Sequence, residues 1–210
     1  MTGRAGLVLA GGRSRRFGQK DKALATLDGD PLLGRVVDRV STVVDEVVVS
    51  CRPAQVDPFT DVLSSTAADG VVEDRIADGG PLAGLEAGLD SVSEPYTAVV
   101  ACDMPLVEPA VLADLFERAV DADAAVPKHA NGQLQPVQAV YRTRAMRAAI
   151  GRMGSCDGSV HGVLESLSVV TVPVESFPKR SFHNVNTRRD LVAAEHRFDG
   201  ENSDGEIRLE

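Results

Sequence analysis

The sequence predicts an α/β fold in which helices cover both faces of a mostly parallel sheet. Short, Val-rich apolar runs alternate along the chain with longer stretches whose apolar residues recur at helical spacing. The short runs are continuous rather than alternating between apolar and polar residues, which is typical of strands buried on both faces. We therefore expect a repeated strand–helix order around one central sheet.

The first half of the chain contains four of these predicted strands. They cover residues 5–10, 46–51, 70–73 and 96–102. Helices are expected over 31–44 and 80–92, where apolar residues are spaced to form one face. Each of these helices begins at or near a proline, a residue that suits the first helical turn because its missing N–H would have no partner there.

The second half of the chain continues the alternation of predicted strands and helices up to residue 198, where it ends. Helices are predicted over 108–120, 143–153 and 187–198, and strands over 123–127, 136–141 and 166–174. The last twelve residues, "DGENSDGEIRLE", contain five acidic residues, one basic residue and little apolar content. Such a segment buries too little apolar surface to offset its ordering entropy. We expect a single domain over 1–198 and a disordered tail over 199–210.

Composition and charge argue against several classes of partner. The formal net charge of -9 disfavours nucleic acid or an anionic membrane as the main partner. No apolar run approaches the roughly 20 residues that span a bilayer. The three cysteines, Cys51, Cys102 and Cys156, form no CxxC pair. We expect reduced thiols and a cytoplasmic protein.

Four polar or glycine-rich segments follow the first four predicted strands. They are the loop after the first strand, residues 50–52, residues 73–81 and Asp103. Open α/β sheets bind ligands in the crevice at the carboxyl ends of their strands. The fold would bring these distant segments to one edge of the sheet, so we predict a binding site there.

The loop after the first strand, "LAGGRSRRFGQKDKAL" (9–24), has two interpretations. Gly11 and Gly12 allow a sharp turn and a close backbone approach to a ligand, and the N–H groups of such a turn can bind an anion. The loop does not match the GxxxxGK[ST] phosphate-binding pattern. It is either a phosphate cradle or a solvated basic turn, and its residue types leave both open. Its basic residues are Arg13, Arg15, Arg16, Lys20 and Lys22.

The other three segments offer carboxylates and a helix start. Asp103, directly after a buried strand, either holds a hard cation such as Mg²⁺ or caps a turn. Asp74 is either a second carboxylate of the site or another cap. The stretch "DGGPLAGL" (78–85) could present helix N–H groups to an anion or a flat base, or it could simply begin a helix packed on the sheet.

Four stretches, in order, resemble the MobA family of molybdenum cofactor guanylyltransferases. They are "LAGGRSRRFGQKDKAL", "VVEDRIADGGPLAGL", "VVACDMPLVEP" and "FHNVNTRRDL" (182–191), and together they frame residues 5–195. The first stretch marks the wider nucleotidyltransferase superfamily, and its combination with GPLAG is similar to MobA in particular. Two positions depart from the family pattern. Ser50 stands where some members have asparagine, and Arg188 replaces a proline.

The resemblance implies a Rossmann-like nucleotidyltransferase fold and Mg²⁺-dependent transfer of GMP from GTP to molybdopterin, with release of pyrophosphate. Lys22 and Asp103 would be catalytic, Lys22 at the phosphates and Asp103 on the metal ion. Transient contact with proteins that make molybdopterin or use the product is also implied. The GTP site carried over from the family comprises Leu9, Ala10, Gly11, Gly12, Arg13, Lys22, Asp74, Gly80, Pro81, Leu82 and Asp103.

Two alternatives remain at this point. The chain could be a related nucleotidyltransferase that uses CTP or another phosphorylated acceptor. It could also be a non-catalytic accessory protein that binds GTP or molybdopterin. The presence of Lys22, Asp74 and Asp103 favours the enzyme. We expect Arg15, Arg16 and Lys20 to be solvated.

Overall fold

A seven-stranded sheet lies at the centre of the computed structural model, which describes residues 3–14, 17, 21–74, 80–153 and 158–195. The strand order is β5-β4-β1-β6-β8-β7-β9, and only β8 runs antiparallel to its neighbours. The small strands β2 and β3 pair as a separate hairpin. The strands are β1 (Arg4–Leu9), β2 (Thr26–Leu27), β3 (Asp30–Pro31), β4 (Glu46–Cys51), β5 (Gly70–Glu73), β6 (Tyr96–Ala101), β7 (Ala124–Lys128), β8 (Gln138–Arg142) and β9 (Val169–Pro173).

Helices connect most of the strands, and the predicted mostly parallel α/β architecture is confirmed. A further helical segment covers 188–195, within the predicted helix over 187–198. Within the described ranges, no helix is long and apolar enough to cross a membrane. The helices are α1 (Leu32–Ser41), α2 (Val56–Leu63), α3 (Gly80–Ser91), α4 (Pro109–Ala119), α5 (Thr143–Met153) and α6 (Val160–Leu164).

Helices pack against both faces of the sheet, as the continuous apolar strands predicted. Successive residues of a strand point to opposite faces. In β1, Val8 packs in a core with residues of α1, α2 and α4, whereas Leu7 packs in a second core with residues of α3, α5 and α6. A β-carbon at Gly88 of α3 would collide with the side chain of Leu7, so this glycine allows α3 to sit directly on β1.

Four larger features were not predicted from the sequence. They are α2, α6, the β2–β3 hairpin and the antiparallel direction of β8. The hairpin turns at Asp28 and Gly29, with φ of 51° and 86°. Asp-Gly is a favoured pair for such a turn, so a signal for the hairpin was present. The predicted tail over 199–210, Cys156 and the basic residues Arg15, Arg16 and Lys20 lie outside the described residues.

Candidate active site

A cavity of about 580 Å³ opens at the carboxyl ends of β1, β4, β5 and β6, where the sequence predicts a site. The chain segments at the ends of β4, β1 and β6 leave the sheet side by side, because backbone hydrogen bonds between them continue beyond the end of β1. Ala10 N donates to the Ser50 carbonyl over 2.8 Å, and Cys102 N donates to the Leu9 carbonyl over 3.0 Å. The cavity is lined by Leu9, Gly11, Gly12, Arg13, Lys22, Ser50, Arg52, Asp74, Gly80, Pro81, Gly84, Ala101, Cys102, Asp103, Val137 and Asn184.

One end of the cavity, which we call the charged end, is lined by Lys22 and Asp103, and Asn186 contacts Lys22 there. Lys22 Nζ lies 2.6 Å from Asp103 Oδ2 and donates to Asn186 Oδ1 over 3.1 Å. Both charged side chains are less than a fifth exposed. This end therefore holds a cation and a carboxylate that satisfy each other, in surroundings where charge interactions are stronger than in bulk water.

Residues 185–190 lie against the charged end. Val185 N donates to the Asp103 carbonyl over 2.7 Å, which places Asn186 against Lys22. Asp190 Oδ2 accepts from Asn186 N and Thr187 N over 3.0 and 2.9 Å. The bond from Asn186 N contributes most to lowering the pKa of Asp190, because it favours the ionised form. Asp190 thus fixes the backbone that presents Asn186.

The other end, which we call the polar end, is built from Ser50, Asp74 and Gly84. Ser50 Oγ and Asp74 Oδ1 are buried and have no hydrogen-bond partner among the described residues. A β-carbon at Gly84 would lie 2.9 Å from Ser50 Oγ and 3.1 Å from Asp74 Oδ1. Gly11 approaches from another side, where a β-carbon would collide with Asp74 Oδ2. Two glycines therefore leave room for a carboxylate that the described residues do not fully satisfy.

Burial also affects the ionisation of Asp74, which is 8% exposed. Desolvation raises its pKa above the ordinary value of 3.8, and the charge of Arg52 partly opposes that rise. A buried carboxylate oxygen without a partner costs free energy, because it gives up hydrogen bonds to water. Such a group at the wall of a cavity suits a ligand that brings N–H donors.

Arg52 links β4 to the loop after β1. Its Nε donates to the Gly11 carbonyl over 2.9 Å, and its Nη2 donates to the Gly12 carbonyl over 3.4 Å. Both carbonyls of the glycine pair are thereby turned toward Arg52. The structure thus holds the loop by a cation from outside it, a contact that the loop's own sequence does not reveal.

Most of the predicted GTP-site residues line this cavity, and two do not. Ala10 is 1% exposed and packs in the core beneath α1 and α4. Leu82 is 2% exposed and packs in the core beneath α3 and α5. Arg52, Gly84, Ala101, Val137 and Asn184 line the cavity without a predicted role. Four of these five belong to stretches that the sequence singles out, and Val137 had no such signal.

The two described cysteines near the cavity are packed thiols rather than nucleophiles. Cys51 and Cys102 are both buried and unbridged. Burial raises the pKa of Cys51 to about 12 and also raises that of Cys102. Neither forms appreciable thiolate at neutral pH, and the thiolate is the reactive form.

Comparison with known proteins agrees with the geometry. The model of the MobA-like NTP transferase domain matches residues 6–170. A probable molybdenum cofactor guanylyltransferase of Natronomonas pharaonis is 39% identical over 93% of this chain and 98% of its own length. The molybdenum cofactor guanylyltransferase of Burkholderia lata is 34% identical over 92% and 96%. The crystal structure of molybdopterin-guanine dinucleotide biosynthesis protein A from Archaeoglobus fulgidus superimposes with a TM-score of 0.76 at 31% identity, covering 93% and 99%.

Proposed function

This chain belongs to the MobA-like NTP transferase family, and on that premise we propose that it transfers GMP from GTP to molybdopterin and releases pyrophosphate. Relatives named molybdenum cofactor guanylyltransferases align with this chain over almost their whole length. The observation that carries the proposal is the Lys22–Asp103 pair, with 2.6 Å between Nζ and Oδ2, at the wall of a nucleotide-sized cavity. A cation and a carboxylate placed together suit a phosphoryl substrate and its metal ion.

The proposed reaction needs no protein nucleophile. The terminal phosphate oxygen of molybdopterin attacks the α-phosphorus of GTP, a new P–O bond forms, and the bond to the bridging oxygen of pyrophosphate breaks. Such transfers depend on positioning and on charge neutralisation. Lys22 would stabilise the negative charge on the transferring and leaving phosphates. The opening glycines, Gly11 and Gly12, would let the nucleotide approach the backbone closely.

Asp103 is the residue that would hold Mg²⁺. Its carboxylate lines the cavity and supplies the oxygen ligand that this ion prefers. Among the described residues no group of three or more His, Cys, Asp or Glu side chains could hold a metal ion. Magnesium commonly binds one or two carboxylates together with substrate phosphates and water, so one carboxylate fits. When bound, the ion would neutralise phosphate charge during transfer.

The polar end supports guanine as the base. An ionised carboxylate only accepts hydrogen bonds, and Asp74 Oδ1 has no partner among the described residues. The Watson–Crick edge of guanine offers two adjacent donors, the ring N1–H and the exocyclic amino group. Cytosine and adenine pair their amino group with a ring nitrogen that accepts. A carboxylate therefore favours GTP over CTP or ATP at this end, and Gly80 and Pro81 would lie beside the base.

Pyrophosphate release tests the proposal. The protein is incubated with GTP, CTP or ATP, with and without molybdopterin, and each mixture is measured with Mg²⁺ and with EDTA. We expect release only with GTP, molybdopterin and Mg²⁺ together. Equal release with CTP would favour the cytidylyl alternative. Tight GTP binding in thermal-shift measurements without any release would favour an accessory protein that binds substrates without turnover.

A further inference from the structure

The geometry points to Gln55 as a positioning residue that joins the two ends of the loop leading from β1 to Lys22. This inference rests on the function proposed above. We define the clasp as Gln55 with its two partners, Ala10 and Asp21. Ala10 directly follows β1, and Asp21 directly precedes Lys22. Gln55 itself comes from the short 3-10 helix Pro53–Gln55 after β4. One side chain from a neighbouring strand's loop thus reaches both ends of another loop.

Almost all of the hydrogen-bonding capacity of the Gln55 carboxamide is satisfied. Its Nε2 donates to the Ala10 carbonyl over 3.2 Å and also to Asp21 Oδ2. Its Oε1 accepts from Arg52 N over 3.0 Å. The side chain is 4% exposed, so these partners replace water rather than compete with it. A buried polar group with this degree of satisfaction fixes the geometry around it.

The pattern of donors and acceptors requires an amide. Both partners on the loop side, a carbonyl and a carboxylate, are acceptors, and only an N–H₂ group can donate to both. The partner on the other side, Arg52 N, is a donor and fixes the amide oxygen toward itself. A glutamate of the same shape would place an oxygen against two acceptors and a negative charge against Asp21.

Asp21 transmits this restraint to Lys22. Its Oδ1 accepts from Ala23 N over 3.1 Å and so caps the 3-10 helix Lys22–Leu24. Ser14 Oγ donates to the same oxygen over 3.2 Å and accepts from Lys22 N over 3.1 Å. The backbone of Lys22 is therefore held by a network whose outer member is Gln55.

Gln55 does not line the cavity, so it would act on the reaction through the residues that it holds: Asp21, which precedes Lys22, and Arg52, which lines the cavity. Lys22 would act on charge that develops as the phosphate transfers, and a misplaced Nζ would lower kcat more than it raises KM for GTP. A residue that only stabilised the fold would instead lower the melting temperature without this kinetic pattern. The clasp thus makes a distinct kinetic prediction.

The test exchanges the amide and the carboxylate. Gln55→Glu should lower kcat at saturating GTP at least about tenfold, which corresponds to ~1.4 kcal/mol. Adding Asp21→Asn should recover part of the lost kcat, because the introduced amide can keep its oxygen for Ala23 N and donate its N–H₂ to the introduced carboxylate, while the Ala10 carbonyl still faces an oxygen. Gln55→Met, which removes the hydrogen bonds without adding charge, should lower kcat about threefold or more. If Gln55→Glu stays within twofold of the parent, or the double variant is no better than Gln55→Glu, the clasp is wrong.

A matched control removes another buried hydrogen bond far from the site. Thr97 and Thr143 share a 2.9 Å bond between their hydroxyls near the amino-terminal edge of the sheet. Thr97→Val should lower the melting temperature and leave kcat and KM unchanged. A fall in kcat with Thr97→Val comparable to that of Gln55→Met would show that general destabilisation explains both and would overturn the inference.

Amide hydrogen exchange separates failure of the clasp from failure of the proposed function. In Gln55→Glu, exchange at residues 11–14 and 21–25 should become at least about tenfold faster than in the parent and return toward it in the double variant. This readout requires no turnover. An inactive parent would refute GMP transfer while leaving the exchange result to decide the clasp, and unchanged exchange would overturn the clasp whatever the activity.

Discussion

The two ends of the cavity differ in how far the protein satisfies its own polar groups. At the charged end, Lys22 Nζ is bonded to both Asp103 and Asn186. At the polar end, Ser50 Oγ and Asp74 Oδ1 are buried without partners among the described residues. A ligand at the charged end must exchange contacts that already exist, whereas a ligand at the polar end can supply contacts that no described residue makes.

This difference indicates a division of labour. Phosphate chemistry needs strong charges that are held in place, and the ion pair keeps Lys22 and Asp103 oriented although removing both from water costs free energy. Selection among bases needs acceptors whose desolvation cost is recovered only by the correct donors. We therefore expect substitutions at the charged end to act mainly on turnover and those at the polar end mainly on base preference.

Asp103→Asn should produce the largest effect. The substitution removes the carboxylate proposed for Mg²⁺ and leaves Lys22 without its ion partner. We expect kcat to fall by about 1000-fold or more, which corresponds to ~4 kcal/mol. The measurement is pyrophosphate release from GTP and molybdopterin over a range of Mg²⁺ concentrations.

Asp114→Asn is the matched control for Asp103→Asn. Asp114 forms an ion pair with Arg118 along α4, with both side chains substantially exposed, and such pairs contribute little. Its substitution should leave kcat and the Mg²⁺ dependence unchanged. A normal Mg²⁺ dependence in Asp103→Asn would remove Asp103 from the metal site.

Lys22→Ala should have the next largest effect, a loss of about a hundredfold in kcat, or ~2.7 kcal/mol. The lysine would stabilise charge that is greatest in the transition state, so the binding of GTP should weaken less than turnover. Steady-state kinetics with varied GTP separates these two effects. Lys128→Ala, at the exposed end of β7, provides the control. Activity within twofold of the parent would show that Lys22 has no part in the chemistry.

The charged end shows how far sequence reasoning reaches into the site. Lys22 was assigned from the family resemblance, and Asp103 from its position directly after a predicted strand together with that resemblance; the structure brings the two side chains into contact. Asn186 lies in a stretch that resembles the family, yet its bond to Lys22 joins residues 164 positions apart. Residue types and spacing do not encode such a pairing. The clasp at Gln55 escaped prediction for the same reason.

The fold was predictable where the apolar pattern is long and was missed where it is short. The strands of the parallel half were located to within about a residue because their apolar runs are continuous and Val-rich. α2 makes only about two turns and buries just Phe59 and Leu63, so its periodicity is weak. The direction of β8 follows from a connection too short for a parallel crossover, since β7 ends at Lys128 and β8 begins at Gln138.

Asp74→Asn tests the polar end and should change KM more than kcat. An asparagine presents one acceptor and one donor, so it would no longer match two adjacent donors of guanine. We expect KM for GTP to rise about tenfold, or ~1.4 kcal/mol, with a smaller change in kcat. The preference for GTP over CTP should fall in parallel. An unchanged preference would show that Asp74 does not contact the base.

The same substitution should stabilise the protein at neutral pH. Burial raises the folded-state pKa of Asp74 above 3.8, so the ionised group costs stability at pH values above that folded pKa. Asp74→Asn should raise the melting temperature at pH 7 by about 2–4 °C, from roughly 1 kcal/mol. The gain should shrink as the pH falls through the folded pKa and vanish below 3.8. Thermal unfolding at several pH values, with the exposed Asp114→Asn as a control, provides the measurement, and a lower melting temperature at pH 7 would contradict it.

Asp190→Ala should have the smallest effect on activity and the opposite dependence on pH. Asp190 accepts from Asn186 N and Thr187 N, so its loss loosens the segment that holds Asn186 against Lys22. We expect kcat to fall about twofold and the melting temperature at pH 7 to fall by about 2–4 °C, since Asp190 and Thr187 bond to each other's backbone N–H at the start of the 188–195 helical segment and such a capping interaction contributes ~1 kcal/mol.

The pH dependence of Asp190→Ala distinguishes it sharply from Asp74→Asn. The pKa of Asp190 is lowered by its backbone donors, so the stability it contributes is fully present above the ordinary value of 3.8 and is lost as the pH falls through the lower folded pKa. At pH 7 the parent should therefore have a higher melting temperature than Asp190→Ala and a lower one than Asp74→Asn. Both differences should disappear in acid. Thermal unfolding of the three proteins from pH 7 to pH 3 measures both differences. If both had the same sign, the contrast between a satisfied and an unsatisfied end would be refuted.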